Sequence, residues 1–176
     1  MVSPHIAVAA YSGRPSDFMV RGVRDFMDTV KGCVRDAVIL LGGYYGLMRV
    51  VADEAQRAGF RLVFVVPYDR EDQPYPSDSI VIRTGLGDRE RSSILVRSGD
   101  VLVSFGGGVG TFLEVLIAYS YGIPVYQLVS NEDLLTDKVS TCIPDGILDE
   151  RIGSRVYYAK TGKELAEKVC NKLRRP

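Results

Sequence analysis

The stretch VLVSFGGGVGTFLEVLIAYSYG, residues 101–122, decides the fold. A short apolar run, Val101–Phe105, leads directly into Gly106–Gly110, which contains four glycines, and a helical pattern follows. Glycines let the backbone turn sharply and leave no Cβ between the main-chain N–H groups and a ligand. Because a helix N-terminus adds partial positive charge, this strand–glycine–helix unit is typical of phosphate binding in an α/β protein. The alternative is a tight turn without a ligand, for which one glycine would be enough.

The rest of the chain alternates short apolar runs with longer helical patterns. The runs predicted as buried parallel strands are His5–Ala10, Ala37–Leu41, Leu62–Val66, Ser79–Arg83, Val101–Phe105, Pro124–Val129 and, more weakly, Arg155–Tyr158. The predicted helices start at Ser16 (as N-cap), Gly46, Asp88, Gly110 and Thr161. This order predicts right-handed crossovers and a three-layer, doubly wound, Rossmann-like parallel sheet of about seven strands, in a single domain over residues 1–176.

Composition narrows the class of protein. The 22 basic and 22 acidic residues balance, so neither nucleic acid nor an anionic membrane is expected as a partner. No apolar run reaches the roughly 20 residues of a membrane span, and a cytoplasmic protein is expected. Cys33, Cys142 and Cys170 lie far apart in the sequence, and an odd number cannot pair off within one chain. With His5 as the single histidine and no CxxC, we expect no metal site, and no cofactor is indicated.

A second glycine turn, Leu41–Met48, has the same architecture as the first. In doubly wound sheets, ligands bind beyond the carboxyl ends of the strands, where the strand order reverses. With the first strand central, the turns Tyr11–Arg14 and Gly106–Gly110 should flank that crevice. Tyr44 and Tyr45 either offer stacking surfaces for a base or pack at the end of the sheet. The residues predicted to bind phosphate or nucleotide are Ser12, Gly13, Gly42, Gly43, Gly107, Gly108, Val109, Gly110 and Thr111.

Two charged residues are candidates for catalysis. Glu114 is the single charge in the apolar helix after the main glycine loop, where it would lie beside a sugar attached to the bound phosphate. The alternative role is a helix cap, since Thr111-x-x-Glu114 is also a capping-box pattern. Arg91 shares a helix face with Ile94 and Leu95, which points it inward toward an anion. Either the Glu114 carboxylate or a ligand phosphate could be this anion. Arg89 and Arg97 are interpreted as surface charges.

The helix that carries Glu114 is apolar on more than one side. One face holds Phe112, Val115, Leu116 and Tyr119, while Leu113, Ile117 and Tyr121 point elsewhere. One side of a sheet cannot cover both faces, and an exposed apolar patch marks an interface. A two-fold homodimer is the simplest way to bury it.

Together these residues resemble the LOG family, cytokinin-activating phosphoribohydrolases that are often mislabelled as putative lysine decarboxylases. The family motif PGGxGTxxE is similar to residues 106–114, its GGGxxGLMG to Leu41–Arg49, and its ERK to Glu90-Arg91-Ser92, within a similarity from about His5 to Leu128. The departures are Gly106 for proline, Ser92 for lysine, Leu113 for an acidic residue, and Leu41 and Arg49 for glycines. With Gly106 in place of proline, the motif also resembles that of molybdenum-cofactor carrier proteins and DprA-related Rossmann proteins.

The resemblance implies hydrolysis of a nucleoside 5′-monophosphate to the free base and ribose 5-phosphate, in a dimer packed near the active site. Arg91 matches the family's catalytic arginine, and Glu114 would stabilise the positive charge that develops on the sugar. The alternative is a non-catalytic carrier of a phosphorylated ligand, such as a nucleotide or the molybdenum cofactor. Binding of single-stranded DNA fits poorly with zero net charge.

Overall fold

Seven parallel strands form one sheet in the computed structural model, which describes residues 3–174. Their order is β4-β3-β2-β1-β5-β6-β7, so the first strand is central and the order reverses between β1 and β5, as the sequence predicts. The strands are β1 (His5–Ala9), β2 (Val38–Leu41), β3 (Arg61–Val66), β4 (Ile80–Arg83), β5 (Val101–Ser104), β6 (Val125–Leu128) and β7 (Val156–Ala159). Each differs from its predicted range by a residue at one or both ends.

Helices cover both faces of the sheet and complete the three predicted layers. They are α1 (Asp17–Lys31), α2 (Gly46–Ala58), α3 (Asp88–Arg97), α4 (Val109–Ser120), α5 (Leu135–Cys142) and α6 (Gly162–Leu173), with 3-10 turns at Tyr68–Arg70 and Glu150–Ile152. Helices α1, α2 and α6 pack on one face, and α3 and α4 pack on the other. No helix within residues 3–174 is long and apolar enough to cross a membrane.

The two predicted N-caps are present. The Ser16 hydroxyl accepts from the Met19 N–H at 3.2 Å, and the Thr161 hydroxyl accepts from the Glu164 N–H at 3.1 Å. Each bond satisfies one of the N–H groups that the first turn of a helix leaves unpaired. Behind the Ser16 cap, an apolar face of α1 is buried against the sheet; its residues are Met19, Val23, Phe26, Met27 and Val30.

One prediction about α4 is wrong in detail. Leu116 does not join Val115 and Tyr119 in the core but is 40% exposed, whereas Ile117 is half-buried against the sheet. Val109 and Leu116 both lie on the outer side of the helix, where they are exposed. The outer face is therefore a stripe of Val109, Leu113 and Leu116 at i, i+4 and i+7.

The cysteines also differ from the expectation, because two of them do pair. Cys33 follows the end of α1 and Cys170 lies in α6, and these helices pack side by side. A disulfide joins the two residues across 137 positions of sequence, with their Cα atoms 5.9 Å apart. Only Cys142 among the described cysteines is free, and it is exposed. Sequence separation gave no hint of this pair, since α1 and α6 meet through the tertiary fold alone.

Candidate active site

A cavity of about 540 Å³ opens at the carboxyl edge of the sheet, at the predicted reversal of strand order. Loops after β1, β2 and β3 form one side, and the first turns of α3 and α4 form the other. Its lining residues are Ala10, Tyr11, Ser12, Tyr45, Met48, Arg70, Asp88, Arg89, Arg91, Ser92, Gly108, Val109, Gly110, Thr111 and Glu114. The structure thus brings Arg91, Glu114, Ser12 and most of the main glycine loop together.

The main glycine loop divides into a buried half and an open half. Gly106 has a φ of +86°, a left-handed conformation that favours glycine. The Gly107 N–H donates to the Thr136 hydroxyl at 2.9 Å, and a Cβ on Gly107 would collide with the Thr111 hydroxyl. Gly107 therefore supports the loop rather than lining the cavity. At Gly108 a Cβ would meet no atom within 4 Å, because this residue faces the open cavity.

The open half of the loop is also the N-terminus of α4. Gly108 is the N-cap residue and no side chain caps the helix there. The first N–H to bond back into the chain is that of Phe112, which donates to the Gly108 carbonyl at 2.9 Å. The preceding N–H groups of the first turn are the ones a helix leaves for other acceptors. With the helix dipole behind them, they suit an anion such as phosphate.

Glu114 lies one turn into α4, and it is 8% exposed. Its Oε1 accepts from the Arg91 Nη1 at 3.3 Å and from the Ser92 hydroxyl at 3.0 Å. The predicted pairing of Arg91 with Glu114 is therefore present. The capping-box alternative is wrong, because the helix starts at Val109 and places Thr111 inside the first turn rather than at the cap.

Burial raises the pKa of Glu114 to about 7, although the Arg91 charge and the Ser92 hydroxyl act in the opposite direction. A carboxyl group in a nearly dry site loses the hydration that favours its charged form. Burial therefore lets this carboxyl keep its proton to a higher pH than an exposed glutamate does. A carboxyl so perturbed, in a cavity with a specific charge partner, is typical of functional sites.

Arg91 is held inward by three neighbours. It is 5% exposed, it pairs with Glu114, and its Nη2 lies 3.6 Å from the Asp88 carboxylate. Its guanidinium occupies the space where a Cβ of Gly42 would be. The second glycine turn therefore makes room for Arg91, and neither Gly42 nor Gly43 lines the cavity. Gly13 is likewise outside the lining, because it sits against the Tyr11 ring.

Two arginines that the sequence did not assign to the site line the cavity. Arg89 is exposed, yet its Nη1 lies 3.1 Å from where a Cβ of Gly110 would be, beside the start of α4. Arg70 lies over the ring of Tyr45, 4.2 Å from the ring centroid. Arg70 belongs to a polar, proline-rich loop with no periodicity, so no sequence signal could have found it. Tyr44 faces away from the cavity, and its hydroxyl donates to Asp53 at 2.6 Å.

The charges of the cavity favour an anionic ligand. Three arginines line it against two acidic residues, Asp88 and Glu114, and burial raises the pKa of Glu114 and so favours its neutral form. The buried Nε atoms of Arg70 and Arg91 lack a hydrogen-bond partner among the described residues. Buried donors without partners are costly, so they mark places where a ligand or water completes the site.

Comparisons with known proteins show the family of this chain. The model of the SLOG cluster4 family matches residues 33–165. An uncharacterized protein from Archaeoglobus fulgidus is 36% identical over 91 residues, which are 52% of this chain and 59% of that protein. The crystal structure of the structural-genomics target TM1055 is 30% identical with a TM-score of 0.79, covering 94% of this chain and 98% of that one.

A further solved structure shares the fold at lower identity. The molybdenum cofactor binding protein of the phototrophic bacterium Rippkaea orientalis is 23% identical with a TM-score of 0.78, covering 98% of this chain and 99% of its own. At that identity the match shows the common fold alone. With the family match, it confirms the resemblance that the glycine loop and Glu114 suggested from sequence.

Proposed function

This chain belongs to the SLOG cluster4 family, and on that premise we propose that it hydrolyses nucleoside 5′-monophosphates to the free base and ribose 5-phosphate. One observation carries the proposal: Glu114, buried and paired with Arg91, stands one turn beyond the open N-terminus of α4 in the same cavity. A phosphate at the helix N-terminus would bring the attached sugar to this carboxylate.

The proposed reaction breaks the bond between the sugar carbon and the base nitrogen. The bonding electrons leave with the base, and positive charge develops on the sugar, where the Glu114 carboxylate stabilises it. Water then adds its hydroxyl to the sugar carbon, and the departing base takes up the proton that water loses. Arg91 holds the Glu114 carboxylate in position, while the Gly108–Thr111 N–H groups and Arg89 bind the phosphate.

A carrier for a phosphorylated ligand is the second candidate, favoured by the likeness to a molybdenum cofactor binding protein. The same N–H groups and arginines would hold such a ligand without a reaction. The two candidate functions are distinguished by incubating the protein with the common nucleoside monophosphates and measuring the ribose 5-phosphate that is released. Release that depends on Glu114 supports the enzyme, whereas tight binding with no release from any nucleotide supports the carrier.

The phosphate loop can be tested at Gly108. We expect Gly108→Val to abolish binding of AMP and of inorganic phosphate, because its side chain would project into the open space above the α4 N-terminus. The protein should stay folded, since no protein atom lies within 4 Å of the added Cβ. Calorimetric titration measures the binding, and thermal unfolding checks the fold.

Gly32→Ala is the matched control for that variant. Gly32 caps α1 with a φ of −72°, so alanine adds a methyl group in ordinary contact and far from the cavity. It should bind AMP as the parent does. If Gly108→Val also binds AMP normally while folded, the phosphate site lies elsewhere.

We further infer a homodimer built on the outer stripe of α4. Val109 and Leu116 are 68% and 40% exposed, and the half-buried Leu113 lies between them without a charged neighbour on the stripe. Because Val109 also lines the cavity, a partner subunit on this stripe would stand at the cavity mouth. A single patch that buries itself against its copy is the ordinary two-fold solution.

Leu116→Glu should convert the dimer into a monomer and weaken nucleotide binding, because a charge would be buried in the apolar contact. Analytical ultracentrifugation at micromolar protein measures the change. Leu116 is a sharper probe than Ile117, whose half-buried side chain packs on the core, so a charge there would also unfold the protein. Ile152→Glu, at a similarly exposed apolar residue on the 3-10 turn, is the control. A parent protein that is monomeric and binds nucleotide normally would contradict the inference.

A further inference from the structure

Arg70 and Tyr45 form one end of the cavity, away from the glycine loop. Arg70 follows β3 and Tyr45 follows β2, while the glycine loop follows β5. In the sheet, β2 and β1 lie between β3 and β5, so the two ends of the cavity stand three strand spacings apart, roughly 14 Å. A nucleotide with its phosphate at α4 and its sugar beside Glu114 would extend its base toward Arg70.

The Arg70 end of the cavity offers hydrogen-bond donors to a ligand. The Arg70 guanidinium carbon lies 4.2 Å from the centroid of the Tyr45 ring, and a guanidinium stacked on an aromatic ring can still donate hydrogen bonds in its own plane. The ion pair of Arg70 with the half-exposed Asp69 is a long one, at 3.8 Å, and its Nε is buried without a hydrogen-bond partner among the residues described. The acidic lining residues, Asp88 and Glu114, come from α3 and α4 on the other side of the cavity.

We propose that Arg70 reads the base and that the preferred base is a 6-oxopurine, as in inosine or guanosine monophosphate. This inference rests on the proposed function. A 6-oxopurine presents two adjacent acceptors, O6 and N7, which a guanidinium fork contacts with two hydrogen bonds. Adenine replaces the O6 acceptor with an amino donor, which would face another donor. Arg70 is thus a specificity-determining residue, and Tyr45 is the platform that orients it.

Inosine and adenosine monophosphates are the matched probes, because they differ at position 6 of the base. Dissociation constants are measured by calorimetry in a Glu114→Gln background, in which hydrolysis should be at least ~100-fold slower. The protein with Arg70 should bind inosine monophosphate at least about tenfold more tightly than adenosine monophosphate. Arg70→Met, which keeps a stem to pack on Tyr45 but removes the donors, should erase that preference by weakening inosine monophosphate alone.

Arg97→Met is the control, because Arg97 lies over Tyr121 in a similar stack, 4.4 Å from the ring centroid, outside the cavity. It should leave both dissociation constants unchanged. Equal affinity for the two nucleotides, or an equal loss for both in Arg70→Met, would overturn the assignment and leave Arg70 as a general positive charge. If neither nucleotide binds, the proposed function fails as well, whereas binding and hydrolysis without preference contradict only the role of Arg70.

Discussion

Replacing Glu114 with glutamine should lower turnover at least ~100-fold, while nucleotide affinity changes little. Glutamine keeps the shape of the side chain and can still accept from Arg91 and Ser92, but it loses the charge that stabilises the developing positive sugar. The phosphate contacts at the start of α4 are untouched, and Arg91 retains Asp88 as a partner at 3.6 Å. Release of ribose 5-phosphate measures turnover, and equilibrium binding measures affinity.

The pH profile of the parent protein supplies an internal check. Because burial raises the pKa of Glu114 to about 7, the reactive carboxylate is lost as pH falls through that value, and kcat/KM should fall with it. The residual activity of Glu114→Gln should lack this acid limb. Glu90→Gln, at an exposed acid one residue before Arg91, should keep both the rate and the limb. Full activity in Glu114→Gln would remove Glu114 from the mechanism.

The same raised pKa makes Glu114 a cost to stability at higher pH. A carboxyl whose folded-state pKa exceeds its unfolded value binds its proton more tightly in the native protein. Its contribution is fully present below the unfolded pKa and is lost as pH rises through about 7. At higher pH a helix with only a structural role would be more stable with an uncharged residue in place of Glu114.

Removing the Cys33–Cys170 disulfide should lower the free energy of unfolding by about 5 kcal/mol in the chain-entropy treatment of a closed loop this long. The bond spans 137 positions and ties α1 to α6, so it restricts nearly the whole unfolded chain. A Cys33→Ala/Cys170→Ala double variant is compared with the parent by denaturant unfolding. The reduced parent should match the double variant.

Cys142→Ser controls for the loss of a thiol, because Cys142 is exposed and unpaired. It should unfold as the parent does, with and without reductant. Thiols are ordinarily kept reduced in a cytoplasm, so the bond would have to resist reduction to persist in such an environment. Unfolding midpoints that are insensitive both to reductant and to the double substitution would show that the bond does not form.

The sheet was predictable because it depends on local signals. An apolar run such as Val101–Phe105 or a cap such as Ser16 predicts its own strand or helix start from only a few residues. The alternation of strands and helices then restricts the possible sheet topologies. The pairing of Arg91 with Glu114 could also be predicted from sequence, because each residue lies on an inward helix face. The sequence predicts that Gly42 binds phosphate or nucleotide, whereas in the structure Gly42 makes room for the Arg91 guanidinium, which comes from a distant helix.

Other parts of the site depend on tertiary contacts that no local pattern encodes. Arg70 enters the cavity from an aperiodic loop and is oriented by Tyr45, which lies in another crossover. The Thr136 hydroxyl, 29 positions away in sequence, accepts a hydrogen bond from the Gly107 N–H and so fixes the buried half of the glycine loop. The disulfide likewise joins helices that the sequence presents as opposite ends of the chain.

The most direct test of the central claim is a crystal structure of Glu114→Gln with a nucleoside monophosphate bound. The account predicts the phosphate at the N–H groups of Gly108–Thr111 and the sugar carbon that carries the base facing residue 114. A nucleotide bound instead at another surface, such as the groove beside Tyr44 and Gln73, or bound in the cavity with its sugar turned away from residue 114, would contradict it.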